Sequence, residues 1–143
     1  MNFIVTANTD IGIAKSTNQD SLMAMSMNTP QGRMAFAVLC DGMGGLQKGE
    51  VASTSVINAF RSWAENELPK LCKQPLEDTV IRNQWCGIID QQNKSINVYG
   101  AQHGVRLGTT SPKNISGYTS SNTPTHCRRT LRRESVSACS GVI

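Results

Sequence analysis

The stretch "LCDGMGGLQKGEVAS", Leu39 to Ser53, ends an apolar run on an aspartate and then withholds side chains at Gly42, Gly44 and Gly45 before helix formers resume. Behind it, Ala35 to Cys40 is apolar at every position, the pattern of a strand covered on both faces. That run belongs to a strand-length segment, Arg33 to Cys40, and a second one, Ser21 to Met27, precedes it. Between them "NTPQG" supplies turn residues through Asn28, Pro30 and Gly32, so the pair reads as a β-hairpin. Asp41 then stands at the end of a central strand. A further short β-type run is "FIVT", Phe3 to Thr6.

Beyond the glycines, Ala52, Val56, Phe60 with Ala59, and Trp63 recur at steps of three and four, the stripe of an amphipathic helix that fades near Pro69. A second helix is expected from Pro75 to about Asn97. Pro75 is a favourable first-turn residue, Glu77 and Asp78 sit beside it at the positive end of the helix dipole, and Ile81, Trp85, Ile88 with Ile89, and Ile96 form the apolar stripe. Two helices of that length can pair antiparallel and lie across one face of a sheet. The fold class is α+β.

Chain totals narrow the classes of function. The 143 residues suit one domain with one core. No apolar run nears the roughly 18 residues needed to cross a bilayer, and "MNFIVTANTD" lacks the basic start of a signal peptide, so a cytoplasmic, membrane-free protein is expected. Five widely spaced cysteines (Cys40, Cys72, Cys86, Cys127, Cys139) form no CxxC pair and read as free thiols. The net charge of +4 does not point to nucleic acid: residues 1–110 hold nine basic and nine acidic residues, whereas residues 111–143 hold five basic residues against Glu134 alone. From Ser111 the chain is rich in Ser, Thr and Arg and keeps neither period 2 nor period 3.6, a coil composition. The chain thus divides into a patterned part, 1–110, and an unpatterned tail, 111–143, expected to be disordered.

Spacing excludes two glycine-loop chemistries. A dinucleotide fingerprint needs a third glycine where Gln47 stands, and a phosphate-cradling loop needs Gly-Lys-Ser/Thr where Lys48 precedes Gly49. A carboxylate at a strand end followed by bare backbone lets a hard cation touch both a carboxylate oxygen and a main-chain carbonyl; an Asp-Gly turn leading into a helix has the same look. Asp20, in "TDIGIAKSTNQDSLM", leaves the first strand at the sheet end where Asp41 arrives on its antiparallel neighbour. Two acids at one sheet end suit a metal; singly, Asp20 also suits a turn.

"DIGIAKSTNQDS", "LCDGMGGLQKGEVAS" and "GVRLGTT" together resemble, in order and spacing, the metal-dependent protein phosphatases of the 2C type in their bacterial form. The resemblance covers residues 1–110. It implies the N-terminal part of an α-β-β-α sandwich, two packed antiparallel sheets flanked by helix pairs, with two Mn²⁺ or Mg²⁺ ions at one end. It implies that Asp41 is the catalytic carboxylate bridging the ions, that Gly42 offers its carbonyl to one of them, that Asp20 joins the metal site directly or through water, and that Lys15 holds the substrate phosphate. The implied activity is protein serine/threonine phosphatase chemistry: a metal-held water attacks a phosphoserine or phosphothreonine phosphorus in line. The implied partner is a phosphorylated protein, opposing a serine/threonine kinase, and the chain is expected to be a monomer.

Three departures qualify the resemblance. Lys15 stands where many members carry arginine, a planar two-point phosphate binder, and also suits a solvated loop. Gln19 replaces an acid and removes a possible metal contact. After Asp90 there is no aspartate, whereas the family supplies two more metal ligands later; Asp20, Asp41 and one carbonyl are too few for two ions. The tail from Ser111 resembles translation in a wrong frame, which implies a truncated or frameshifted product that folds marginally and is weakly active or inactive, or a non-catalytic phosphoprotein-binding module derived from the family. Within the tail, "RRTLRRES" resembles a kinase target or a basic patch, and His126, Cys127 and Cys139 lack zinc spacing. His103, just before Gly104, reads as a loop residue.

Overall fold

Alternating side chains and a two-residue turn make the hairpin. The computed structural model describes residues 6–13, 16–43, 48–109, 116–118 and 124–126. Strands β1 (Ser21–Thr29) and β2 (Gly32–Cys40) pair antiparallel, from Ser21 opposite Cys40 to Thr29 opposite Gly32. Pro30 and Gln31 form the turn, Gly32 takes a φ of 120° that side chains resist, and the Thr29 hydroxyl donates to the Gly32 carbonyl at 2.7 Å. Met23 from β1 and Met34, Phe36, Val38 and Cys40 from β2 are buried on one face. Ala35, Ala37 and Leu39 on the other face are only half-buried, so the continuous apolar run is fully covered on one side alone.

The glycine stretch leads into α1 (Gly49–Asn66), whose predicted stripe, Ala52, Val56, Phe60 and Trp63, is buried together with Ile57 and Ala64. The helix stops before Pro69, which sits in the first turn of the short α2 (Leu68–Leu71). Helix α3 (Asp78–His103) differs from the expected Pro75–Asn97 span at both ends. Glu77 is still extended at its start, and the helix runs on past Asn97 and through Gly100 until Gly104, which closes it in the left-handed conformation at φ 63°. His103 is therefore the last helical residue rather than a loop residue; its ring stacks on Tyr99 with centroids 4.0 Å apart.

Two polar contacts set the helix pairing. Ser55 donates to Gln92 Oε1 at 2.7 Å and Trp63 Nε1 donates to Gln84 Oε1 at 2.5 Å, so rising numbers in α1 meet falling numbers in α3 and the helices run antiparallel, as expected. Between them and the sheet lies an aromatic centre: Phe36 stands 5.6 Å from Trp63 and 5.9 Å from Trp85, and Phe60 stands 6.5 Å from Trp85, in tilted and edge-on geometries. Such pairs add about 0.5–1.5 kcal/mol each beyond the area they bury. Trp85 is the one fully buried side chain of α3, whose Ile81, Ile88, Ile89 and Ile96 stay partly exposed. Burial at the C-terminal end of α2 pushes the Cys72 thiol up from its ordinary pKa. Cys40, Cys72 and Cys86 form no disulfide; Cys127 and Cys139 lie outside the described residues.

Two strands arise inside the segment expected to be coil. β3 (Ser116–Tyr118) pairs antiparallel with Ala35 to Ala37 of β2, and β4 (Pro124–His126) pairs with β3, giving the sheet order β1-β2-β3-β4. Strands of three residues are too short to display an alternation in sequence, and backbone hydrogen bonding to the edge of β2 suffices to order them. The strand expected at Phe3 to Thr6 lies, except for Thr6, outside the described residues. Among the described residues no helix is long and apolar enough to cross a membrane.

Candidate metal centre

Pairing of Ser21 with Cys40 decides where the two acids go. Asp20 precedes the first member of that pair and Asp41 follows the second, so both leave the same end of the hairpin, as expected. Asp41 is half-buried and Asp20 exposed. The loop leading to Asp20 is built from side-chain turns: Gly12 N donates to Asp10 Oδ1 at 2.7 Å, Asn18 Nδ2 donates to Thr9 Oγ1 at 2.8 Å, and Asp20 N donates to Asn18 Oδ1 at 3.0 Å. Lys15, expected to hold a phosphate, lies outside the described residues, as do Gly44 and Gly45.

The three motif segments converge on the Asp41–Gly42 peptide. Gly42 N donates to the Gln19 carbonyl at 3.1 Å, Met43 N to the Gly108 carbonyl at 3.1 Å, and Thr109 Oγ1 to the Asp41 carbonyl at 3.0 Å. Gly42 and Thr109 thus form an isolated antiparallel bridge beside the hairpin end. Helix α1 is tied to the same point, because Ser53 Oγ donates to the Gln19 carbonyl at 2.6 Å and lies 3.0 Å from the Ser21 hydroxyl. Ser53 and Thr109 are the buried polar side chains of the described core, at 0% and 3% exposure, so both hydroxyls carry their bonds where water does not compete. Gly42 has no room for a side chain: a Cβ there would overlap the Gln19 carbonyl oxygen and come within 2.9 Å of the Gly49 backbone.

The Gln19 side chain packs against the start of α1. Its Nε2 stands 3.5 Å from Glu50 Oε2, and Gly49 packs against its amide. Gln19, expected to mark a lost metal contact, thus also packs at the start of α1. Replacing it with the acid sets two carboxylates face to face in a partly buried place, where repulsion at about 4 Å costs on the order of 1–4 kcal/mol before screening. Gln19→Glu should therefore lower the melting temperature at neutral pH, and the loss should fade as the pH falls and one carboxylate takes up a proton. Glu50→Gln in the same chain should restore stability at neutral pH. Melting curves of the two variants across pH check this, and an unchanged midpoint in Gln19→Glu would refute it.

In kind, the oxygen donors suit a hard divalent cation: the Asp41 and Asp20 carboxylates and the Gly42 carbonyl, whose amide is already committed to Gln19. In number they do not suit two. Among the described residues no three His, Cys, Asp or Glu side chains gather closely enough to hold an ion. The sequence singles out Asp20, Asp41 and Gly42 as candidates but not the contacts made by Gln19, Glu50, Ser53 and Thr109. Ser53 and Thr109 stand inside the motifs "GEVAS" and "GTT", yet nothing in their spacing marks them as the buried hydroxyls of the junction. Comparison with protein-family models, with curated proteins and with solved structures finds no match.

Proposed function

We propose that this chain is the N-terminal part of a metal-dependent protein serine/threonine phosphatase of the bacterial 2C type, and that the hairpin with its α1–α3 pair is one half of that family's α-β-β-α sandwich. The observation that carries the reading is the convergence of all three motif segments, through Gln19, Gly42 and Thr109, at the hairpin end where Asp20 and Asp41 emerge. In this reading Asp41 and the Gly42 carbonyl hold a Mn²⁺ or Mg²⁺ ion, Asp20 joins them directly or through water, and Lys15 binds the phosphate of a phosphoserine or phosphothreonine protein. When bound, such ions supply a water of lowered pKa for in-line attack on phosphorus. The chain itself contributes the Asp41 carboxylate and the Gly42 carbonyl at the hairpin end.

The donor count favours a second reading beside it. With no third carboxylate gathered among the described residues, a non-catalytic phosphoprotein-binding module fits the site as it stands. Hydrolysis of an aryl phosphate by the full chain with and without Mn²⁺ separates the two. The phosphatase reading expects slow, Mn²⁺-dependent turnover that disappears in Asp41→Asn. Absence of turnover at saturating Mn²⁺, with retained binding of a phosphorylated protein, favours the binding module.

A further inference from the structure

The two edges of the sheet are unlike. Among the described residues, the strand order places β4 at one edge and β1 at the other. β4 is three residues long and starts with Pro124, the short, proline-bearing form in which a sheet edge is shielded from further pairing. β1 carries none of the shielding devices. Its nine residues, "SLMAMSMNT", hold no proline and no charge, and all of them pair with β2 in continuous register, without a bulge. In such a strand every second residue turns its amide and carbonyl away from the neighbour, so β1 presents a row of backbone donors and acceptors on its outer side.

We propose that a second copy of this chain pairs with β1, strand to strand and antiparallel, to give a two-fold dimer with one continuous sheet. Full overlap of two nine-residue strands puts the axis at Met25, the midpoint of β1. Met25 then meets the second copy's Met25, Met23 its Met27, Ala24 its Ser26, Leu22 its Asn28 and Ser21 its Thr29. Side chains opposite each other in an antiparallel pair share a face. The methionines, which belong to the helix-covered core or pack against it, therefore meet methionines, and exposed Ala24 and Ser26 meet on the other face. No charge opposes a charge, and unbranched thioethers adjust to one another. The pairing also closes: the dimer's sheet ends in β4 on both sides, so a third copy finds no open edge of the same kind. Such a dimer departs from the monomer expected from the sequence.

Sedimentation equilibrium of the full chain across protein concentration tests the pairing, with Ala24→Lys/Ser26→Lys and Ala24→Glu/Ser26→Glu as double variants. Both positions are exposed, and a melting curve shows whether each variant folds. Expected is a wild-type dimer with a dissociation constant below about 1 mM. Each double variant sets like charges opposite each other on both sides of the axis and should weaken self-association at least about tenfold. An equimolar mixture of the lysine and glutamate variants should associate again, one to one. A chain that stays monomeric at every concentration overturns the proposal, as does a dimer that both double variants leave unweakened or a mixture that does not associate. If a double variant does not fold, the single variants Ala24→Lys and Ser26→Glu carry the comparison: their mixture should associate more tightly than either alone, and equal association overturns the pairing.

Discussion

Gly42→Ala is expected to destabilise the chain by about 3 kcal/mol or more, the upper range for forcing extra volume into a closed site. The added methyl would meet Gln19 Cβ at 2.6 Å and Gly49 backbone at 2.9 Å and would overlap the Gln19 carbonyl oxygen. Most of these atoms are main chain, so no rotamer change makes room. Relief requires the Gln19 loop, the start of α1 and the bridge to Thr109 to separate, which breaks the Gly42–Gln19 bond and strains the Ser53–Gln19 bond. Gly87→Ala is the control. A Cβ at Gly87 meets nothing within 4 Å, and alanine in a helix interior is favoured over glycine by roughly 1 kcal/mol, so that variant should gain stability. Denaturant unfolding of the pair measures the contrast. Equal midpoints would show that the junction is not closed.

Phe60→Ala should cost about 3–5 kcal/mol, the usual range for emptying a buried aromatic site. Phe60 is completely buried on α1 and faces the Trp85 ring, which is the fully buried side chain anchoring α3. A void there loosens the long helix where it has least to spare. Single domains are stable by only about 5–15 kcal/mol, so at the low end of that range the variant would lie near its unfolding midpoint at room temperature. Phe60→Leu, which keeps most of the volume, should recover more than half of the loss. A Phe60→Ala cost below about 1 kcal/mol would mean that the cavity collapses freely and that the aromatic centre does not hold the helix pair to the sheet.

Local signals were legible and distant ones were not. The hairpin could be read because the turn residues Asn28, Pro30 and Gly32 fix the register, and the register alone carries Asp20 and Asp41 to one end. Helix α1 could be read because its stripe is amphipathic from Ala52 to Trp63. The ends of α3 were misjudged: the helix runs on through the weak formers Val98 and Tyr99 and through Gly100, and it stops only where Gly104 turns left-handed, which no change of pattern announces. β3 and β4 escaped notice because three residues cannot show an alternation. The junction residues escaped for another reason. Ser53 reaches Gln19 across 34 positions and Thr109 reaches Asp41 across 68, so their burial is decided by the assembled fold rather than by neighbours in the chain.

That same separation of 68 positions has a kinetic side. The α1–α3 pair and the β-hairpin form from segments near in sequence, whereas the Thr109–Asp41 bond must close a long loop whose entropic cost grows with its length. Contacts of that kind are late arrivals in folding. The end of the sheet carrying the acids is therefore expected to close after the hairpin and the aromatic centre around Phe36, Phe60 and Trp85 have formed.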